Sequence, residues 1–262
     1  MPIDKDIGRL DVTMDEAVVV QIRGAAGMVT DGGLLLGLEE FRLTPVTLDL
    51  LAPGASLLVF GDGGTGRTAL LRRAVTTLAA AAPGRVQLHV VDLGRGLLDL
   101  ADLGAVASYA FTASMVEQLA TALVKELFER LPPPDLPRLQ LRDRSWWSGP
   151  EHVLVVDDYD LTLSGGSGPL GVLTDPLAQA RDLGLHVLLA RRVAGSARTG
   201  FEPFGQRLRE VTTSALLLSG DRSEGPLLGE RTATRRPAGR GLLVRRGHRD
   251  TVIQLAVAGE DR

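Results

Sequence analysis

LLVFGDGGTGRTALLRR, residues 57–73, is the stretch of sequence that decides the fold. It begins with four apolar residues, continues through a glycine-rich loop and ends in helix-forming residues. Residues 61–68, GDGGTGRT, match the phosphate-binding pattern G-x-x-x-x-G-K-[ST] at every fixed position but one, since Arg67 stands where the pattern has lysine. A strand before such a loop and a helix after it are the structural context of that pattern, so the stretch predicts a phosphate-binding loop.

We predict that this loop binds the phosphates of ATP. Glycines let the backbone approach a phosphate closely, and successive N–H groups at a helix N-terminus supply positive potential. The hydroxyl of Thr68 is placed to ligate Mg²⁺. The alternative is an ordinary glycine turn. The predicted nucleotide-binding residues are Gly61, Asp62, Gly63, Gly64, Thr65, Gly66, Arg67, Thr68 and Ala69.

Arg67 is the departure from the pattern. Lysine occurs only at positions 5 and 125, and arginine supplies the rest of the 29 basic residues, so compositional drift explains how the change arose. It does not make the two side chains equivalent, because a guanidinium is larger and planar and prefers to bind a phosphate from outside the loop. An error of about 1 Å in the position of a catalytic group can cost roughly a hundredfold in rate. Binding therefore survives this change more easily than catalysis.

A second motif lies at residues 153–160, VLVVDDYD. Four apolar strand residues followed by an acidic pair are typical of the strand that holds Mg²⁺ and polarises the attacking water. Asp157 is the predicted metal ligand, and Asp158 is the predicted catalytic carboxylate, one methylene shorter than the glutamate usual in such ATPases. The alternative is an acidic strand end facing solvent. Together with Arg67, Asp158 predicts a pocket that holds ATP and turns it over slowly or not at all.

Two arginine features have alternative interpretations. Arg191 and Arg192 follow an apolar strand and could contact the γ-phosphate or a neighbouring subunit, or could simply be a solvated strand end. Residues 229–250 carry seven arginines against Glu230 and Asp250. No aromatic residue is interleaved for base stacking, so a basic face between domains or a solvated hairpin is favoured over nucleic-acid binding.

Short apolar runs alternate with helical patterns along the chain, which predicts a mostly parallel α/β sheet flanked by helices, with a C-terminal β-hairpin. The carboxyl ends of its strands bring residues 61–68, Asp92, Asp157, Asp158 and the Arg191–Arg192 pair to one edge. We predict an N-terminal segment at residues 1–45 that packs on a nucleotide-binding domain at residues 46–262. The predicted strands are residues 17–23, 46–51, 57–60, 86–91, 152–156, 185–190 and 215–219, with a hairpin at 241–245 and 251–257. The predicted helices are residues 68–82, 112–131, 170–183 and 201–211, with a polar, glycine-containing stretch between residues 23 and 46 and a loop at 163–168.

The composition excludes several classes of protein. The chain has 262 residues, a net charge of −3 and no cysteine, so neither a global positive field for nucleic acid nor a disulfide or thiolate metal site is expected. Its four histidines lack metal-ligand spacing. The N-terminus lacks the apolar run of a signal peptide and no apolar run is long enough to cross a bilayer, so we expect a soluble domain with no direct membrane insertion.

Four stretches carry a family resemblance: LLVFGDGGTGRTALLR, RSWWSGPEHVLVVDDYDL, PLAQARDLGLHVLLARR, and SGDRSEGPLLGE followed by GRGLLVRRG. They extend over most of the chain, from residue 57 to residue 246. In this order they resemble the FtsK/SpoIIIE-type ATPase domains, most closely the last of the three tandem ATPase domains in the EccC family of type VII (ESX) secretion.

The resemblance implies a RecA-like P-loop fold in one module of a membrane-anchored chain that assembles into hexamers. It implies adjacent ATPase modules as partners, a small helical secreted substrate recognised through its C-terminal tail, and a cytoplasmic location at the inner face of the cell membrane. By the motif match, residues 61–68 take the nucleotide phosphates and Asp157 the metal position. We expect Met1 to mark a boundary between modules.

The leading hypothesis is a degenerate ATP-binding module that docks substrate and regulates a secretion ATPase, with Mg²⁺ as a possible companion of the nucleotide. One rival is a working ATPase or DNA-translocase motor. The other is a peptide-binding scaffold with an empty nucleotide pocket.

Overall fold

The computed structural model of the chain describes residues 33–163, 168–196 and 202–256. The strand predicted at residues 17–23 lies outside the described residues, as does most of the loop predicted at 163–168. The strands of the described residues are β1 Gly33–Glu39, β2 Pro45–Asp49, β3 Ser56–Phe60, β4 Val86–Asp92, β5 Val106–Ala110, β6 Glu151–Asp157, β7 Leu185–Arg191, β8 Ser214–Leu217, β9 Pro226–Leu228, β10 Arg231–Thr232, β11 Arg240–Arg245 and β12 Thr251–Leu255.

Ten of these strands form one mixed sheet in the order β2-β1-β12-β11-β8-β3-β7-β6-β4-β5. The six strands from β8 to β5 pair in parallel. The pairing becomes antiparallel at β11 and stays so through β12, β1 and β2. β9 and β10 form a separate small hairpin. The mostly parallel α/β architecture and the β11–β12 hairpin confirm the predicted fold class.

Helices cover both faces of the parallel strands. β3 shows the alternation: Leu57 and Val59 lie in the apolar cluster that includes α1, whereas Leu58 and Phe60 lie in the cluster that includes α2. Burial on both faces is the reason the strand is a continuous apolar run. The helices are α1 Arg67–Ala81, α2 Ala113–Phe128, α3 Arg138–Asp143, α4 Thr174–Ala178, α5 Ala180–Leu183 and α6 Pro203–Val211. Among the described residues, none of the helices has the length and apolarity needed to cross a membrane.

Three details differ from the sequence-based expectation. β1 lies where a polar linker was predicted, and its Gly37 passes so close to the backbone of Gln254 that a Cβ would come within 1.9 Å of that residue's carbonyl oxygen. β5 was missed because its residues are only partly buried and lack a clean apolar pattern. The helix predicted at residues 170–183 is divided into a 3₁₀ turn, Pro169–Leu173, and the short helices α4 and α5. Pro176 lacks the N–H that a continuous helix would need at that position.

The described part of the predicted N-terminal segment, β1, pairs with β12 on one side and β2 on the other. The boundary at residue 45 stays a prediction.

The tryptophan pair before β6 connects the end of α2 to α5, the short helix before β7. Trp146 donates its indole N–H to the carbonyl of Arg130 at 2.7 Å, and Trp147 donates to the carbonyl of Asp182 at 2.7 Å. The guanidinium of Arg130 lies 4.3 Å from the centroid of the Trp147 ring. Gly184 ends α5 in the left-handed conformation, with φ of +63°.

We predict that Gly184→Ala destabilises the domain. An alanine Cβ would lie 2.5 Å from the Trp147 ring, and the left-handed conformation alone costs about 1–2 kcal/mol for a residue with a Cβ. Urea unfolding should show a fall in the free energy of unfolding at least that large. Gly84→Ala is the matched control, because Gly84 also has a positive φ, +73°, and its Cβ would meet nothing within 4 Å. Equal effects from the two substitutions would contradict the tryptophan contact as the cause.

A buried histidine pair joins β4 to β6. His89 Nε2 lies 3.0 Å from His152 Nδ1, and His89 Nδ1 lies 2.9 Å from the hydroxyl of Ser108. Burial lowers the pKa of His89 to about 4 and that of His152 to about 3, with a further lowering by the nearby charge of Arg130. Both rings are therefore neutral in the folded protein at neutral pH.

This pair predicts a loss of stability in mild acid. Below the unfolded pKa of about 6.5 the unfolded chain binds protons that the folded chain does not, so stability falls as the pH drops from there toward the folded values. Between pH 6.5 and 5, urea unfolding should show a slope that approaches about 1.4 kcal/mol per pH unit for each histidine. His152→Gln should flatten the slope, whereas His248→Gln, on the exposed β11–β12 turn, should leave it unchanged. A slope that is the same in all three proteins would rule out the pair as its source.

Candidate nucleotide-binding site

The predicted site residues meet at one edge of the sheet, at the carboxyl ends of four parallel strands. The glycine loop follows β3, and Arg191 ends the neighbouring strand β7, opposite Phe60. Asp92 ends β4 opposite Asp157 at the end of β6. The register of the parallel strands, rather than proximity in sequence, brings these side chains together.

The glycine loop is shaped to leave its backbone accessible. Gly64 and Gly66 have positive φ angles of 73° and 106°, in the region that favours glycine. Cβ atoms at Gly63 and Gly64 would meet nothing within 4 Å, so the space beside the loop is open. Gly66 caps the N-terminus of α1, and Ala69 is exposed on the first turn of that helix. The arrangement fits a phosphate group bound by backbone N–H groups at a helix N-terminus.

Hydrogen bonds hold the glycine loop at its start, through Asp62, and at its centre, through Thr65. Asp62 donates its backbone N–H to the carbonyl of Ser219 at 2.9 Å, and its carboxylate accepts the N–H of Ala194 at 3.0 Å. The carbonyl of Thr65 accepts the N–H of Gly239, just before β11, at 3.0 Å. The Thr65 hydroxyl donates to the carbonyl of Asp62 at 2.8 Å. Asp62 and Thr65 therefore hold the shape of the loop through their own hydrogen bonds.

Thr68 and Asp157 form the oxygen pair that fits a divalent cation. The Thr68 hydroxyl donates to Asp157 Oδ2 at 2.6 Å, and Asp157 Oδ1 accepts the N–H of Asp158 at 3.0 Å. Burial raises the pKa of Asp157, the charge of Asp158 raises it further, and the hydrogen bond from Thr68 works in the opposite direction. A buried carboxylate beside a hydroxyl is a donor set that Mg²⁺ accepts.

Arg67 and Asp158, the two departures from the ATPase pattern, contact each other. Arg67 Nη2 lies 2.7 Å from Asp158 Oδ1, and the Arg67 side chain is only 8% exposed. Asp158 has a positive φ of 45°, which a residue with a Cβ seldom adopts. Within the described residues, Arg67 Nη1 and Asp158 Oδ1 have no hydrogen-bond partner. The contact is thus an ion pair without aligned hydrogen bonds, and it leaves one buried guanidinium donor for a ligand.

A second glycine loop, residues 93–97, was not predicted as part of the site. Asp92 holds it by accepting the N–H groups of Gly96 at 3.1 Å and Leu97 at 2.6 Å and the hydroxyl of Tyr109 at 2.7 Å. A Cβ on Gly96 would lie 2.9 Å from Thr68 Cγ2 and 3.6 Å from Asp157 Oδ2. The signal in the sequence is the aspartate followed by two alternate glycines, DLGRG, directly after an apolar strand.

Arg191 and Arg192 both donate hydrogen bonds to the carboxylate of Asp160. Arg191 is 3% exposed and its Nη2 donates to Asp160 Oδ1 at 3.0 Å, with the guanidinium 6.0 Å from the centroid of the Tyr159 ring. The backbone N–H of Arg192 donates to Asp160 Oδ2 at 2.7 Å, and the Arg192 side chain is exposed. The role of these arginines toward a γ-phosphate or a neighbouring subunit stays a prediction.

The chain is similar in sequence and in fold to known secretion proteins. The ESX-4 secretion system protein EccC4 of Mycobacterium tuberculosis is 40% identical over 258 residues, which are 97% of this chain and 20% of that protein. The ESX secretion system protein EccC of Thermomonospora curvata is 39% identical over 222 residues, 84% of this chain and 17% of that protein. The solved structure of ATPases 2 and 3 of Thermomonospora curvata EccC with a signal sequence peptide matches with a TM-score of 0.83 and 36% identity, over 90% of this chain and 43% of the other.

The chain is a homologue of the EccC secretion ATPases. No protein-family model matches it. This EccC homologue spans about a fifth of the length of the curated relatives that it matches. Its P-loop ATPase fold is shared with their ATPase domains, and its position among tandem modules stays a prediction.

We predict that Gly96→Ala weakens the binding of ATP with Mg²⁺. The added methyl group would displace Thr68 and with it the contact to Asp157, so calorimetric titration should show a loss of about tenfold or more in affinity, or roughly 1.4 kcal/mol. Gly94→Ala is the matched control in the same loop, because the nearest atom to its Cβ would lie at an ordinary 3.4 Å. If the two variants bind alike, the close packing of Gly96 on Thr68 does not position the hydroxyl.

Proposed function

We propose that this EccC homologue is an ATP-binding module of a type VII secretion ATPase that holds its nucleotide with little or no hydrolysis. The observation that carries the proposal is the ion pair between Arg67 and Asp158. In an active ATPase of this architecture the corresponding cation acts on the phosphates and the carboxylate acts on the attacking water. Here the two groups are engaged with each other, so neither is positioned for its separate task.

The rest of the site supports binding. The open backbone of Gly63 and Gly64 and the N-terminus of α1 favour a phosphate. Arg67 Nη1 is a buried donor without a partner among the described residues, and an anionic ligand would satisfy it. Thr68 and Asp157 are the residues that would hold Mg²⁺, which would neutralise phosphate charge when bound.

Nucleotide in such a site acts as a structural ligand. A ligand that binds the folded state alone stabilises it by an amount that grows with the logarithm of its concentration. The loop joins β3 to α1 and contacts Gly239 before β11, so bound ATP would tie the parallel half of the sheet to the antiparallel half. We propose that the connection of the two halves of the sheet by bound ATP supports contacts with adjacent ATPase modules and regulates the motor.

Docking of a secreted substrate is the second part of the proposal. The structure of Thermomonospora curvata EccC ATPases 2 and 3 contains a signal sequence peptide, and this chain matches that structure over 90% of its own length. We propose that the module contributes to recognition of the C-terminal signal of a small helical substrate, on the cytoplasmic side of the cell membrane. A scaffold with an empty nucleotide pocket would keep this docking role and bind no ATP. An active ATPase or DNA-translocase motor would hydrolyse ATP at a substantial rate.

The proposal predicts how the ion pair responds to substitution. The wild-type protein should bind ATP with Mg²⁺ in calorimetric titration and release little phosphate on the same sample. Arg67→Lys and Asp158→Glu should each have a small effect on phosphate release, since each restores one of two required groups. The double substitution Arg67→Lys/Asp158→Glu should raise release by about tenfold or more, because groups placed for their separate tasks recover rate by such factors.

The controls separate the alternatives. Asp157→Ala in the double variant should abolish the gained activity. Substantial Mg²⁺-dependent phosphate release by the wild-type protein, lost on Asp157→Ala, would establish an active motor instead. If ATP gives neither a heat of binding nor a thermal shift, the protein is the peptide-binding scaffold with an empty nucleotide pocket. If Arg67→Lys alone restores rapid turnover, Asp158 is not limiting and the claim that both groups must be restored is wrong.

A further inference from the structure

A second polar pocket lies at the opposite edge of the sheet from the glycine loop. β3 and β8 are parallel, with Phe60 opposite Leu217 at their carboxyl ends, and the pocket lies where β8 begins, at Ser214, opposite Arg245 at the end of β11. It has a volume of about 260 Å³. We call it the arginine pocket, because Arg209, Arg231, Arg245 and Arg246 are in its lining.

The four arginines come from three separate parts of the chain. Arg209 is in the last turn of α6, Arg231 is in β10, and Arg245 and Arg246 are at the β11–β12 turn. The fold therefore adds Arg209 to the three arginines that the basic stretch at residues 229–250 contributes to the pocket.

Among the described residues, the lining of the arginine pocket includes four arginines and no carboxylate. Glu202 acts on Arg209, and Glu230 acts on Arg231, from outside that lining. Asp250 accepts a bidentate contact from Arg231, at 2.7 Å and 3.1 Å. Arg246 Nη2 donates to the carbonyl oxygen of Glu210 at 2.7 Å, and the carboxylate of Glu210 is paired with Arg207. No described carboxylate forms an ion pair with Arg245 or Arg246.

Arg245 Nε is a buried donor with no hydrogen-bond partner among the described residues. A buried donor of this kind costs free energy unless a ligand satisfies it. Arg245 and Arg246 both line the pocket and neither has a carboxylate partner among the described residues. An oxyanion in the pocket would reduce the repulsion between these two guanidinium groups and accept their hydrogen bonds.

We propose that the arginine pocket binds a phosphate group, as inorganic phosphate or as a phosphate monoester. A phosphate monoester carries close to two negative charges and three acceptor oxygens, so different guanidinium groups can each donate to it. The pocket, with a volume of about 260 Å³, is large enough for such a group. Its lining includes no aromatic side chain on which a base could stack, which favours an isolated phosphate over a nucleic-acid strand.

The site is separate from the nucleotide loop, so the two proposals can fail independently. The test uses the whole chain with the Arg245→Gln/Arg246→Gln double variant. Arg138→Gln/Arg222→Gln is the matched control, since it removes the same charge from exposed positions outside the pocket. ATP affinity and thermal unfolding are measured on the same samples, and Arg246→Gln alone serves as a second pocket variant if the double variant does not fold.

Inorganic phosphate is titrated in the presence of saturating ATP or, if ATP does not bind, directly. Wild type and the control should bind phosphate, and the pocket variant should lose about tenfold or more in phosphate affinity while its ATP affinity is unchanged, since charge-assisted hydrogen bonds are strong. Phosphatidylcholine vesicles with and without phosphatidic acid identify the source: retention only with phosphatidic acid indicates a lipid headgroup, and binding of free phosphate alone indicates a soluble ligand.

Three outcomes would overturn the proposal. One is equal phosphate binding by the pocket variant and the control. The second is absence of phosphate and vesicle binding by the wild-type protein. The third is binding of a short peptide of aspartate and glutamate, in place of phosphate, that depends on Arg245 and Arg246, which would make the pocket a docking site for an acidic protein segment.

Discussion

Parallel pairing of β3 with β7 on one side and β8 on the other is the constraint on which the rest of the structure depends. These strands are buried on both faces, so their backbone groups must pair with one another, and the polar residues that follow them are confined to the sheet edge. That edge receives the glycine loop, the acidic pair after β6 and the arginines after β7. A shift of register in this part of the sheet would separate Asp157 from Thr68 and dismantle the site without changing any of its residues.

The ion pair of Arg67 with Asp158 shows how two substitutions can be compatible with a stable fold. A buried arginine without a partner is costly, and so is an aspartate in a left-handed conformation beside another carboxylate. Placed 2.7 Å apart, each compensates part of the cost of the other. Stability of the loop and loss of catalytic positioning then have the same physical origin, which suits a module whose nucleotide serves as a structural ligand.

β11 connects the two charged regions of the molecule. Its start follows Gly239, which donates to the carbonyl of Thr65 in the glycine loop, and its end carries Arg245 in the arginine pocket. The antiparallel half of the sheet, formed by β11, β12, β1 and β2, is therefore in contact with the nucleotide edge at one end and with the arginine pocket at the other. A ligand bound at either of these sites is therefore close to β11, which reaches both sites.

The sequence by itself determined the α/β class, the glycine loop, the acidic strand end and the C-terminal hairpin, because these depend on local patterns: apolar runs of strand length, glycines at fixed spacing and turn residues. It did not reveal β1, whose two glycines conceal a strand that pairing with β12 makes necessary. Local pattern also could not show that Arg67 contacts Asp158 across 91 positions of sequence, or that Gly96 packs on Thr68. Tertiary structure alone decided those contacts, because they depend on the order and register of strands that are distant in the chain. It thereby decided which charged residues are paired within the protein and which are available to a ligand.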